Sequence, residues 1–137
     1  MANAIYPKYR EALLDGSSNI DLNDGDVRVI LIDASDYTYS SAHDFLDDVP
    51  ALARVATSSA LTNTTVTNGT FDADDVTFSS VTGDQSEALI IYIHTGVEST
   101  SRLVAYIDTG VTGLPVTPSG GNISLSWNAS GIFTLGG

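Results

Sequence analysis

The chain has 137 residues, 42% of them hydrophobic, with 17 acidic against 5 basic side chains and a formal net charge of −12. A chain of this length forms one domain, burying roughly two-thirds of the surface its unfolded form exposes, and so carries its own core. Nucleic acid and anionic membrane are excluded as expected partners, because Lys8, Arg10, Arg28, Arg54 and Arg102 are scattered, and the lack of cysteine removes disulfides, thiolate metal sites and cysteine nucleophiles together.

The N-terminus lacks a basic region leading into an apolar stretch of signal-peptide length, and the longest apolar run, residues 88–93, is too short to span a bilayer. Synthesis in a cytoplasm is the expectation. Residues 7–15 predict a short helix: Pro7 suits the first helical position, Tyr6, Tyr9 and Leu13 share a face, and Gly16 sits where a left-handed cap belongs. About two turns do not stand alone. Residues 1–16 therefore read as an N-terminal arm, with residues 17–137 as the body. Lys8 and Arg10 are either solvated surface residues or a basic patch that docks on an acidic neighbouring subunit.

Residues 17–26 form a polar loop with a superficial likeness to a calcium loop. Starting from Asn19, the spacing gives Asp21 and Asn23, but Asp24 takes the glycine position and Ile30 that of the bidentate glutamate, so a plain turn with Asx caps is expected and no metal ligand is assigned. Residues 27–32, Val-Arg-Val-Ile-Leu-Ile, predict a strand apolar on nearly both faces, hence central. A loop with Tyr37 and Tyr39 follows. Ser41-Ala-His-Asp44 resembles a capping box that opens a helical turn through Phe45 and Leu46, ending before Pro50.

Beyond this point the pattern is almost entirely β. Residues 52–57 give a short strand, residues 64–71 a hairpin turning at Asn68-Gly69, and residues 76–79 a modest alternation. Residues 88–93 and 103–107 then form an antiparallel pair at the centre of the fold. Each leaves by the same exit, Tyr92-Ile-His-Thr-Gly-Val97 and Tyr106-Ile-Asp-Thr-Gly-Val111. Residues 111–121 make an irregular connection rich in Gly and Pro. In residues 122–128 Ile123, Leu125 and Trp127 alternate inward, and residues 132–135 form a last short strand. Eight or nine strands and two small helices, with no helix long enough for a parallel crossover, predict a mainly β fold: an antiparallel β-sandwich or jelly-roll-like domain.

No catalytic set emerges. His43 and His94 lie on different elements, no Gly-x-Ser-x-Gly elbow occurs, and the adjacent acids Asp47-Asp48 and Asp74-Asp75 would point to opposite faces of a strand. No enzyme activity and no cofactor is expected. The aromatic content raises a carbohydrate-binding alternative; Trp127 reads as core, leaving Tyr37 and Tyr39 as the exposed candidates for stacking on a glycan.

Several runs carry a resemblance that extends over nearly the whole chain: Ala4-Ile-Tyr-Pro-Lys-Tyr-Arg-Glu-Ala-Leu-Leu-Asp-Gly16, Val27-Arg-Val-Ile-Leu-Ile-Asp33, Asp36-Tyr-Thr-Tyr-Ser-Ser-Ala-His-Asp-Phe-Leu-Asp-Asp-Val-Pro50, Ala53-Arg-Val-Ala-Thr57, Val66-Thr-Asn-Gly-Thr-Phe-Asp72 and Gly113-Leu-Pro-Val-Thr-Pro118. They resemble small virion structural proteins of tailed bacteriophages, of the capsid decoration, cement or head-accessory type. The resemblance implies a noncatalytic protein, made in the host bacterial cytoplasm, that coats the capsid exterior. Its implied partners are the major capsid protein and further copies of itself, a trimer at threefold positions being one arrangement. Tyr6, Lys8, Tyr9, Arg10 and Leu13 would then form the contact with the capsid or a sister subunit. The alternative is a head-fibre or tail accessory that binds host glycans through Tyr37, Tyr39 and the loop 113–121.

Overall fold

A computed structural model describes residues 3–23 and 25–135. Among these lie ten strands and one α-helix: β1 (Ala4–Ile5), α1 (Pro7–Asp15), β2 (Val27–Ile32), β3 (Arg54–Thr57), β4 (Thr65–Thr67), β5 (Thr70–Asp72), β6 (Val76–Phe78), β7 (Ala88–Ile93), β8 (Arg102–Ile107), β9 (Ile123–Leu125) and β10 (Phe133–Thr134). The fold is mainly β and antiparallel throughout. A five-stranded sheet in the order β1-β8-β7-β2-β3 is accompanied by a three-stranded sheet, β10-β5-β4, and a two-stranded one, β6-β9. None of the three closes on itself.

The five-stranded sheet forms where β-branched and aliphatic residues run without interruption. All six residues of β7 are buried, as are five of the six in both β2 and β8. Such strands have no wet face, so the sheet must be covered on both sides. Tyr9 and Leu22 from the N-terminal region, Leu46, Val49 and Ala53 from the 46–53 segment, Phe71, Phe78 and Leu125 from the small sheets, and Trp127 just beyond β9 join its strands in one hydrophobic cluster. Fully burying an Ile or Leu side chain contributes about 1.5–3 kcal/mol, so this cluster dominates the stabilisation. The repeated exits behave alike: β7 and β8 are each followed by a glycine of positive φ, Gly96 at 92° and Gly110 at 81°.

Several expectations are corrected. The strand count is ten because Ala4–Ile5 pairs with β8, Ala4 opposite Tyr106 and Ile5 opposite Ala105. Residues 3–16 are thus part of the body and not a separate arm. The capping box does not form: the turn at Leu46–Asp48 is a 3₁₀ segment without a side-chain cap, and the Asp44 N–H donates instead to the Asp48 carboxylate, 2.9 Å. After Pro50 a second 3₁₀ segment, Ala51–Ala53, occupies what reads as the start of a strand, delaying β3 to Arg54. Three arginines act as fasteners. Arg54 donates to the carbonyls of Leu46 and Val49 and to Glu98, Arg102 donates to the carbonyls of Ser18 and Asn19 beneath the Phe45 ring, and Arg28 pairs with Asp26.

Candidate functional site

The helix α1 forms as its sequence dictates, with Pro7 in the first turn and Gly16 in the left-handed conformation at its end. Its apolar face turns inward onto the chain's own sheet. Tyr6 and Tyr9 are fully buried, and Tyr9 donates its hydroxyl to the Ile20 carbonyl, 2.9 Å. The expectation that these two rings contact a neighbour is therefore overturned; they anchor the N-terminal segment to the core. Leu13 is half-buried, Lys8 pairs with Glu11 at 3.6 Å, and Arg10 is exposed beside a cleft lined by Ala4, Ile5, Tyr106 and Phe133.

The glycan candidates are corrected likewise. Tyr37 is buried, and its hydroxyl shares hydrogen bonds with the Tyr6 hydroxyl, 2.7 Å, and with Nδ1 of His43, 2.8 Å. Tyr39 is half-buried, with its ring 5.0 Å from Tyr6 and 5.9 Å from Tyr106. These rings hold one another and offer no exposed stacking platform. Burial pushes the Tyr6 hydroxyl far above the ordinary tyrosine range and raises Tyr37 to about 12. Trp127 is core, as read, with its indole N–H donating to the Asp74 carbonyl, 3.0 Å.

What the fold leaves uncovered lies on the other flank of α1. Tyr9, Leu13, Ile20, Leu22, Val66 and Leu135 line a depression of about 440 Å³ whose walls are chiefly apolar. Beside Leu13 on the helix, Leu14 is 90% exposed, and Val66, on the edge strand β4, is 53% exposed. The depression is assembled from the helix, the following loop, the β4–β5 hairpin and the residue after β10. Sequence reasoning found Leu13 but missed Leu14, Val66 and Leu135. The visible signal was a Leu13-Leu14 pair that no single helical face can bury together, and a lone Val66 between two threonines.

No family profile and no curated protein matches this chain. Geometry and chemistry alone therefore describe its surfaces.

Two acidic groups draw together. The carboxylates of Asp33, Asp36 and Asp84 lie within 4.8 Å of one another, as do those of Asp44, Asp47 and Asp48. These are the described residues a divalent cation could bridge, yet each group is accounted for by its own turn. Asp33 accepts from the Ser35 hydroxyl, 2.7 Å, and backbone N–H, 3.0 Å, which hold it below the usual carboxylate range. Burial and the neighbouring Asp48 push Asp44 up; Asp48 is held down, against its own burial, by the Asp44 N–H. The loop at 17–26 behaves as a turn, Asn23 N–H donating to the Asp21 carboxylate at 2.8 Å, and position 24 lies outside the described residues. His94 is half-buried at the end of β7 beside Tyr92, far in sequence from His43 in the tyrosine cluster. Among the described residues no helix is long and apolar enough to cross a membrane.

Proposed function

We propose that this chain is a noncatalytic virion structural protein that decorates or cements a phage capsid through protein contacts. The observation that carries the reading is the apolar depression lined by Leu13 and Val66, with the exposed Leu14 next to Leu13 in the helix, set in a molecule of net charge −12. A concave apolar surface with Asp21 on its rim, on a strongly acidic body, fits a partner that presents an apolar knob ringed by basic residues. The resemblance to small virion proteins implies the major capsid protein as that partner. Many copies on one shell, as monomers or as trimers at threefold positions, would add avidity to a modest single contact.

Within this reading Leu13 lies at the contact and the buried Tyr9 supports it from below, whereas Arg10 lies beside the cleft on the opposite flank of α1 and Lys8 is held by Glu11. Cosedimentation with purified heads tests it. Full-length protein is expected to pellet with heads, and Leu14→Glu combined with Val66→Glu is expected to leave it in the supernatant with thermal stability unchanged. Pelleting unaffected by the double substitution would place the contact elsewhere.

A further inference from the structure

We propose that Asn68-Gly69 is a self-modification site, at which the asparagine is converted to aspartate and isoaspartate with water as the only co-reactant. The turn joins β4 to β5, with Thr67 opposite Thr70, and both of its residues are exposed with positive φ, 52° and 80°. Asn68 is the only one of the seven asparagines followed by glycine. That matters because the attacking atom is the backbone nitrogen of the next residue, and only glycine leaves it unshielded by a side chain. Where asparagine precedes Ile20, Thr64 or Ile123, a β-branched side chain stands in the way.

Hydrogen bonding also separates Asn68 from five of its six counterparts, and Asn23, whose side chain has no hydrogen bond among the described residues either, precedes an aspartate and not a glycine. Asn3 accepts from the N–H groups of Asp108 and Thr109, Asn19 donates to the carbonyls of Ile93 and Thr100, and Asn63 donates to Asp74. Asn122 accepts from Ser80 N–H and Asn128 from Ser130 N–H. Among the described residues the Asn68 side chain makes no hydrogen bond, and the Gly69 N–H donates to none. Both reacting groups are therefore unengaged and in contact with solvent.

The step balances without a redox partner. Hydroxide removes the Gly69 amide proton, the nitrogen bonds to Cγ of Asn68, and the Cγ–Nδ2 bond breaks, with the nitrogen leaving as ammonia. The resulting five-membered imide is opened by water at either carbonyl. One opening yields aspartate; the other yields isoaspartate, in which the main chain runs through the former side chain and gains an atom.

That extra atom falls where the turn has no slack. A two-residue connection fixes the register of its strands, and the Gly69 carbonyl also accepts the Leu135 N–H at 2.8 Å. Val66 and Leu135 both line the apolar depression, so the product adds a carboxylate beside that surface and loosens one of its walls. The modification goes beyond the docking role and holds whether or not that reading stands.

The test is to age the folded full-length chain in warm, mildly alkaline buffer and follow it by peptide mass spectrometry with enzymatic isoaspartate labelling. A mass gain of about one dalton and an isoaspartate signal are expected on the peptide holding residue 68, appearing at least about tenfold faster than at any other asparagine. Asn68→Gly, which keeps a turn suited to positive φ, is expected to abolish both signals. Hydrogen exchange at the Leu135 amide is expected to accelerate in step with the modification. Reaction at Asn68 no faster than at the other asparagines, or reaction only after unfolding in urea, would overturn the proposal.

Discussion

The hydroxyl of Tyr6 has one partner among the described residues, the hydroxyl of Tyr37, whereas Tyr37 also reaches His43. Truncating the two sides of this bond should therefore have unequal effects. Tyr37→Phe leaves a fully buried donor unsatisfied and is expected to cost about 1–3 kcal/mol; Tyr6→Phe leaves Tyr37 bonded to His43 and is expected to cost about 0.5–1.5 kcal/mol. Urea denaturation of both variants and of the double variant measures the difference and the coupling. Tyr9 and Tyr37 also set an alkaline limit. Burial raises both from 10.0 to about 12, so below pH 10 their contribution is fully present. Between these values the unfolded chain releases protons that the folded chain still holds, and stability falls as pH rises. Circular dichroism is expected to report unfolding in that window, coincident with tyrosinate absorbance; early tyrosinate signal in a still-folded chain would contradict the buried placement.

At the level of elements, α1 divides into an inner face that holds the fold and an outer flank that does not. Tyr9→Ala removes a fully buried ring and is expected to cost about 3–5 kcal/mol, whereas Leu14→Glu on the same helix is expected to fall within about 0.5 kcal/mol of the parent chain. Thermal denaturation separates them. The helix itself, β2, the β7–β8 pair and the Asn68-Gly69 hairpin were legible in the sequence, because each rests on local signals: a capping glycine, unbroken apolar runs, two residues suited to positive φ. The strand β1 was not. Ala4–Ile5 has no alternation of its own and is a strand only because β8 lies beside it. The same reason hid the tyrosines: residues 33–39 are polar around Tyr37, and nothing local shows that Tyr6 reaches it from 31 positions away. The candidate surface was half legible, with Leu13 in view but Val66 and Leu135 supplied by elements distant in sequence.

For the molecule as a whole, 17 acidic side chains face 5 basic ones, and the structure commits Arg28, Arg54 and Lys8 to ion pairs with Asp26, Glu98 and Glu11. The remaining carboxylates repel one another over distances comparable to the screening length, about 10 Å at 0.1 M salt. Raising sodium chloride from low to physiological concentration is therefore expected to raise the melting temperature, and a fall would show that the ion pairs outweigh the repulsion. The pairing of Ala4 with Tyr106 has a consequence for biosynthesis. Because β1 leaves the ribosome before β8, it must wait for that strand before it has a ladder to join, and Tyr6 and Tyr9 remain uncovered meanwhile. Nascent chains halted short of β8 should accordingly be the ones that chaperones hold and proteases cut, and release of the later strands should end that vulnerability in one cooperative step.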